Sequence, residues 1–432
     1  AGAPADAKAA LGSLQDARAR MLEASASIES QLASTRASRA QSERSARELE
    51  NALESSAEKY AFVQELRDYV RDLCECLKDK APLVEELQDH VRELHVQRAG
   101  ALAERRSADA ADEAAATSAA VEAALKKSAD AEAAFAAALE EGGVPASSSS
   151  GAAAESDVDE FGRDRSHGRR EAAKRRAAKR ARRRRPLDGS SDESEGERDA
   201  YLRGVEEGFA TGAGVFVDAD DEYGTIEAVK RRLEDWKRRQ PKTYRNAYAS
   251  LSAPALFAPF VRLELLRWSP LFAAPGTAPD YGVALDDHDW FASLMDYGMP
   301  ARAEDVDPND PDSALVPTLV VEVVLPLVRG VTDLCYDAAS VSQTQRLLSV
   351  VRDVSIYCEE GEAAREAMQE LRLAVLSRLR ARMAAAAPSA EPWPAHALSA
   401  SPSAAAHAAR AFAQSARLFA NVCRWHEALP HE

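Results

Sequence analysis

Between residues 163 and 185 the chain concentrates positive charge: Arg163, Arg165, Arg169, Arg170, Lys174, Arg175, Arg176, Lys179, Arg180, Arg182, Arg183, Arg184 and Arg185, opposed only by Asp164 and Glu171. Guanidinium and ammonium groups at this density pair with phosphates. Each phosphate neutralised releases counterions, so binding falls steeply with salt. Import receptors read the same pattern. Apart from Phe161 the run has no aromatic residue to stack on a base, so it has little means of reading sequence. Nuclear localisation, non-specific nucleic-acid contact and a merely solvated tract are the readings it leaves open.

An acidic serine cluster follows. Ser190 precedes Glu193 by three residues and Ser194 precedes Glu197 by three, which suits an acid-directed kinase acting on Ser190, Ser191 and Ser194. Phosphates there would sit beside Arg182–Arg185 and pair with them. Phosphomimetic replacement of the three serines is expected to lower both nucleic-acid affinity and nuclear uptake. Unchanged values in a binding titration and an import assay would reject the switch.

Other chemistry is sparse. The five cysteines, Cys74, Cys76, Cys335, Cys358 and Cys423, form no C-x-x-C pair and have no zinc-ligand spacing with histidine. They fit buried thiols in a reducing compartment. His90 and His95 stand five apart, poor spacing for one helix face, and read as solvated helix residues. Asp286-Asp287-His288-Asp289 reads as a polar loop before Trp290. No nucleophile elbow, Walker loop, H-E-x-x-H or kinase set occurs. The expectation is a non-enzymatic protein with no cofactor, no metal and no small-molecule substrate.

The elements that must position these segments follow from composition. The 432 residues carry a net charge of -16, so the basic run belongs to one module of an otherwise acidic chain. The apolar fraction of 46% is inflated by alanine, and aromatics are 6%. No secretory signal opens the chain, and no uninterrupted apolar run of about 18 residues exists. Leu315–Leu327 is broken by Pro317, Glu322 and Pro326. A protein without a membrane segment is expected. The chain starts at Ala1 without an initiator Met, which reads as a fragment or a processed product.

The fold class expected is all-α, with an N-terminal coiled coil or helical hairpin, a disordered charged linker and a C-terminal α-helical domain. Residues 1–58 read as a polar, marginal helix, with Leu11, Leu14, Leu22, Ile28 and Leu32 followed by a gap to Leu49. Residues 59–141 read as a coiled-coil segment with a solvated alanine-rich extension. Leu66, Leu73, Leu87 and Leu94 keep a period of seven through Lys80, and Phe62, Tyr69, Cys76 and Leu83 form a second stripe. Pro82 predicts two helices or a kink. A partner coiled coil through Phe62, Leu66, Tyr69, Leu73, Leu87 and Leu94 and an intramolecular hairpin both stay open. Residues 142–224 read as linker, holding the basic block and the acidic cluster 190–197, too poor in large apolar residues to order. From 225 to 432 helical spacing returns, with helices expected near 315–337, 341–359, 363–386 and 403–428, and no period-two alternation.

Three stretches resemble the GC-rich sequence DNA-binding factor family, which includes the Pax-binding protein of animals. The first is Ala57-Glu58-Lys59-Tyr60-Ala61-Phe62-Val63-Gln64-Glu65-Leu66, continuing through Tyr69-Val70 and Leu73-Cys74-Glu75-Cys76-Leu77. The second runs from Trp236 through Tyr244, Tyr248, Leu251 and Pro254 to Arg262-Leu263-Glu264-Leu265-Leu266-Arg267-Trp268-Ser269-Pro270-Leu271. The third comprises Asp289-Trp290-Phe291 and Ser340-Val341-Ser342-Gln343-Thr344. Ala338 departs from the family, which has proline there, and the chain stops soon after Trp425, where members continue; a truncated C-terminal domain is expected.

The resemblance implies a nuclear location and a link to pre-mRNA splicing through the intron-lariat spliceosome and its disassembly, with spliceosomal proteins as partners and nucleic acid as a possible partner through the basic linker. The older family name implies DNA binding and transcriptional control of GC-rich sequences. Residue physics supports a scaffold in either case. A cytoplasmic coiled-coil tether is a third reading, which the basic block disfavours.

Overall fold

A computed structural model describes residues 3–141, 195–272, 284–299, 309–359, 361–386, 399, 401–426, 428 and 429, with isolated positions 171, 174, 175, 177 and 178. Among the described residues there is no strand; the chain is all-α. It divides into two units, 1–74 and 75–432, and one helix, α1 (Ala3–Glu141), runs from the first into the second.

Alanine, glutamate, leucine and arginine, residues that lose little on entering a helix, make up much of α1. In the first unit it is exposed on nearly all sides up to Ala61, and Phe62, Leu66, Tyr69 and Leu73 are buried. Pro82 does not split the helix. Pro82 and Lys78 both face solvent, so water can serve the Lys78 carbonyl that loses its N–H partner.

The buried positions along α1 mix spacings of seven and eleven: Phe62 and Tyr69, Leu66 and Leu73, and Leu77, Val84 and Val91 stand seven apart, but no single heptad register holds from Phe62 to His95. Phe62, Leu73, Val84 and His95 recur every eleven residues, and Leu66 and Leu77 do the same. Leu83 of the expected second stripe is 44% exposed. Eleven residues in three turns is 3.67 per turn, close to a straight helix, whereas a seven-residue stripe drifts and requires supercoiling. His95, expected in solvent, is 4% exposed.

In the second unit, α2 (Glu195–Ala213) lies along α1. Gly204, Gly208 and Gly212 form its contact face. A Cβ at these positions would lie 2.9 Å from Leu94, 3.2 Å from Val91 and 2.9 Å from Leu266. Ion pairs hold the two ends, Arg105 with Glu197 at 2.5 Å and Lys80 with Asp218 at 2.5 Å. Val215 and Phe216 then turn inward, and Phe216 stacks on Phe260 at 4.6 Å. Residues 195–224 of the expected linker are thus helix and turns that pack on neighbouring helices. The glycines that suggested linker permit close helix contact, so few bulky residues are needed to hold the segment.

The remaining helices build the core: α3 (Ile226–Arg239), α4 (Pro241–Asn246), α5 (Ala249–Glu264), α6 (Asp289–Leu294), α7 (Leu315–Leu319), α8 (Leu325–Cys335), α9 (Val341–Ser355), α10 (Glu362–Ala386) and α11 (Pro402–Arg424). Thr225 caps α3 by accepting from the Ala228 N–H, and Ser340 caps α9 by accepting from Gln343. A π-turn, Val320–Val324, joins α7 to α8 directly before Pro326, which has no N–H to complete a regular turn. By length and composition alone, Ala249–Arg267 and Pro311–Cys335 are long and apolar enough to cross a membrane. Here they pack on each other, with Phe257, Val261, Leu319, Val320 and Val324 fully buried.

The alanine-rich end of α1 is also partly packed. Val121 is buried against Ala404, and Glu113 pairs with Arg410 and, at 3.4 Å, with His407. That stretch is a contact for α11 rather than a wholly solvated extension.

Candidate interaction site

Lys174 and Arg175 of the basic block are helical and exposed, with Arg175 3.6 Å from Glu171. Arg169, Arg170, Arg176, Lys179, Arg180 and Arg182–Arg185 lie outside the described residues, as do Ser190, Ser191 and Ser194. Of the expected coiled-coil residues, Phe62, Leu66, Tyr69 and Leu73 are buried. Leu87 and Leu94 are half-buried, and each reaches a glycine of α2.

The landmark residues fall into a polar latch and an apolar edge. Lys230, Glu234 and Lys237 share one face of α3 and strap down residues 293–298. Lys230 donates to the Ser293 carbonyl at 2.7 Å, Glu234 accepts from the Gly298 N–H at 3.2 Å, and Lys237 donates to the Gly298 carbonyl at 3.0 Å. The Lys237 ammonium also bonds Asp310 at 2.5 Å and Asp312 at 2.7 Å. The Tyr244 hydroxyl donates to the other Asp312 oxygen at 2.9 Å and meets the Tyr297 hydroxyl at 2.8 Å.

Burial works against the charged form of Lys237, but its bonds to Asp310 and Asp312 outweigh this and raise its pKa. Burial raises the pKa of both tyrosines. Gly298 adopts φ +71°, and a Cβ there would lie 2.6 Å from Asp312 Oδ2. Trp236 donates to Thr243 at 2.9 Å and meets Tyr244 edge to face, whereas Tyr248 is exposed in the left-handed region at φ 54° between α4 and α5.

Leu263, Trp268 and Pro270 lie on the apolar edge. Trp268 and Pro270 are buried, Leu263 is partly exposed, and buried Arg346 of α9 donates to the Ser269 carbonyl at 3.0 Å. Between this edge, α1 and α8 runs a groove of about 250 Å³ whose walls include Val91, His95, Leu265, Trp268, Val323 and Gly330. Nothing lies within 4 Å of a Cβ placed on Gly330. Gly330→Ala is therefore expected to raise stability by up to ~1 kcal/mol through helix propensity, read as a higher thermal midpoint.

His95 lines the groove. The Tyr201 hydroxyl bonds its Nδ1 at 2.8 Å, and the Arg98 guanidinium lies over the Tyr201 ring at 4.2 Å and the Phe272 ring at 4.5 Å. Burial, and then the Arg98 charge, lower the His95 pKa from 6.5 to about 4. The folded state therefore resists a proton that the unfolded chain accepts. Stability from this group is complete above pH 6.5 and is lost as pH falls toward 4, by ~3 kcal/mol in total. Denaturant unfolding between pH 7 and 4 should show this slope, and His95→Gln should remove it.

A second polar hub surrounds Tyr336–Ser340. The Tyr336 hydroxyl meets Thr344 at 2.9 Å and accepts from Trp425 Nε1 at 3.1 Å; its carbonyl accepts from Arg378 at 2.7 Å. Asp337 pairs with Arg106 of α1, and the carbonyl of Ala338, which is buried, accepts from Asn421 at 2.9 Å. The hub joins α1, α9, α10 and α11, and the turn closes with alanine at 338 through the Ser340 N–H to Asp337 carbonyl bond at 3.0 Å.

The distances in both clusters are hydrogen-bond and ion-pair contacts that join helices. Among the described residues, no three His, Cys, Asp or Glu side chains are grouped to hold a metal ion. The His95–Tyr201 pair and the glycine face of α2 were not expected from the sequence. The four-residue spacing of Gly204, Gly208 and Gly212 was the available signal.

Residues 226–432 match the family model described as GC-rich sequence DNA-binding factor-like protein. The chain is similar to the transcriptional repressor ILP1 of Arabidopsis thaliana, 38% identical over 201 residues, 46% of this chain and 21% of that protein. It is similar to PAX3- and PAX7-binding protein 1 of Mus musculus, 33% identical over 210 residues, 45% of this chain and 22% of that protein. It is also similar to the Intron Large complex component GCFC2 of Mus musculus, 24% identical over 169 residues, 38% of this chain and 21% of that protein. The chain spans about a fifth of the length of these curated relatives.

Proposed function

Because residues 226–432 belong to the GC-rich sequence DNA-binding factor-like family, we propose that this chain is a nuclear, non-enzymatic scaffold of pre-mRNA splicing, acting on the intron-lariat spliceosome and its disassembly. The observation that carries the reading is the similarity of this chain to a relative named as an Intron Large complex component. The geometry is in keeping with it: the domain's polar residues are spent on joining helices, and a groove is left between α1, the Trp268 edge and α8. Spliceosomal proteins are the partners of this reading, and the basic run 163–185 supplies nuclear import and sequence-independent contact with nucleic acid.

The test is affinity purification of the full chain from nuclear extract, with and without nuclease. Recovery of spliceosomal proteins and intron lariats, with the proteins retained after nuclease, supports the scaffold. Absence of lariats alongside enrichment of GC-rich chromatin rejects it.

A second reading, a DNA-binding regulator of GC-rich sequences, draws on the relative named as a transcriptional repressor. It requires the segment 163–185 to prefer GC-rich over AT-rich duplex at physiological salt. Equal affinity with a steep salt slope rejects it.

A further inference from the structure

The first unit exposes ten large apolar side chains up to Val63, from 37% at Val63 to 74% at Met21. In a heptad register begun at Leu11, the two seam positions fall at 11, 14, 18, 21 and onward. Leu11, Leu14, Met21, Ile28 and Leu32 occupy them in the first half, and Leu49, Leu53, Tyr60 and Val63 in the second. Nine of the ten are on the seam, Leu22 being the exception, where two positions in seven would collect about three by chance. The seam is distinct from the buried stripe: Phe62 lies two residues past the seam residue Tyr60, on another face of α1. One helix thus carries two faces, a stripe buried within the chain that holds no single heptad register and a seven-residue seam for something outside it.

Charge says what kind of helix the seam accepts. Arg18 and Arg39 occupy seam positions, and a parallel second copy in register would set Arg18 on Arg18 and Arg39 on Arg39 in the core. An antiparallel copy with full overlap would bring Arg36 beside Arg36 and Glu29 beside Glu43. Both self-pairings place like charges together. We infer that residues 11–63 form a coiled coil with one helix of a different protein, which carries acidic residues facing Arg18, Arg36 and Arg39 and basic residues facing Glu29, Glu43 and Glu50. This deepens the scaffold reading by naming the surface that holds a partner.

The experiment places a photo-cross-linking amino acid singly in the full chain in nuclear extract, at the seam positions Ser25, Ser42 and Ser56 and at the opposite-face positions Ser30, Ala37 and Asn51. The expected result is that all three seam positions capture the same polypeptide, at sites on it spaced by sevens beside acidic residues, and that the opposite-face positions do not. Arg18→Glu is expected to lower the Ser25 yield about tenfold, the loss of roughly one charged core contact. Sedimentation of the chain at tens of micromolar is expected to give a monomer. Equal capture from both faces, a chain-to-chain product, a sedimenting dimer or no product overturns the inference. Lariat recovery is measured on the same extract. Failed cross-links with lariats recovered overturn the seam alone, and absent lariats overturn the scaffold reading.

Discussion

Asp312→Ala is expected to cost the helical domain about 2–3 kcal/mol, because it takes one partner from the half-buried Lys237 ammonium and leaves the buried Tyr244 hydroxyl without its acceptor. The Asp312 side chain is 1% exposed, and its two oxygens bind Lys237 and Tyr244. Without it, Lys237 keeps only Asp310 and the Gly298 carbonyl, and the Tyr244–Tyr297 pair loses its acceptor. Denaturant unfolding read by tryptophan fluorescence measures the loss, since Trp236 packs on Tyr244 at 5.3 Å between ring centres. Asp312→Asn keeps one acceptor and is expected to cost less. A change below about 1 kcal/mol for the alanine variant would show that the latch relaxes onto Asp310.

Trp425→Ala is expected to release the last helix from the domain. The Trp425 side chain is fully buried, packs edge to face on Tyr336 and donates to its hydroxyl. Its removal costs about 3–5 kcal/mol in lost packing and cavity. Much of α11 otherwise faces solvent, with Phe412 77% and Phe419 69% exposed, so few other apolar contacts hold it. Hydrogen exchange should become fast across 402–424 while 341–386 stays protected. Trp425→Phe retains most of the area and loses one hydrogen bond, an expected cost of about 1 kcal/mol. Equal destabilisation of both regions would show that α11 belongs to a single cooperative unit with α9 and α10.

These two clusters also mark how far the sequence could be read. Lys230, Glu234 and Lys237 stand at helical spacing, and their shared face of α3 was legible. Their partners at 293–312 are some sixty to seventy-five residues away, and no local pattern links them. Ser340-Val341-Ser342-Gln343-Thr344 stood out in the sequence only as a stretch resembling the family. That Arg106, Arg378, Asn421 and Trp425 converge on the turn at Tyr336–Ser340 depends on three helices crossing there.

By itself, the sequence determined the all-α class, the helices near 315–337, 341–359, 363–386 and 403–428, and the separation of one basic segment from an acidic chain. Each follows from local residue types, which act through propensity, capping and charge within a few turns. Only the tertiary structure decided that His95 is buried, that 195–224 packs through glycines, and that α1 buries a stripe with no single heptad register while showing a seven-residue seam to solvent. Burial and close approach are properties of pairs of elements, and a residue's own type does not reveal which neighbour will cover it.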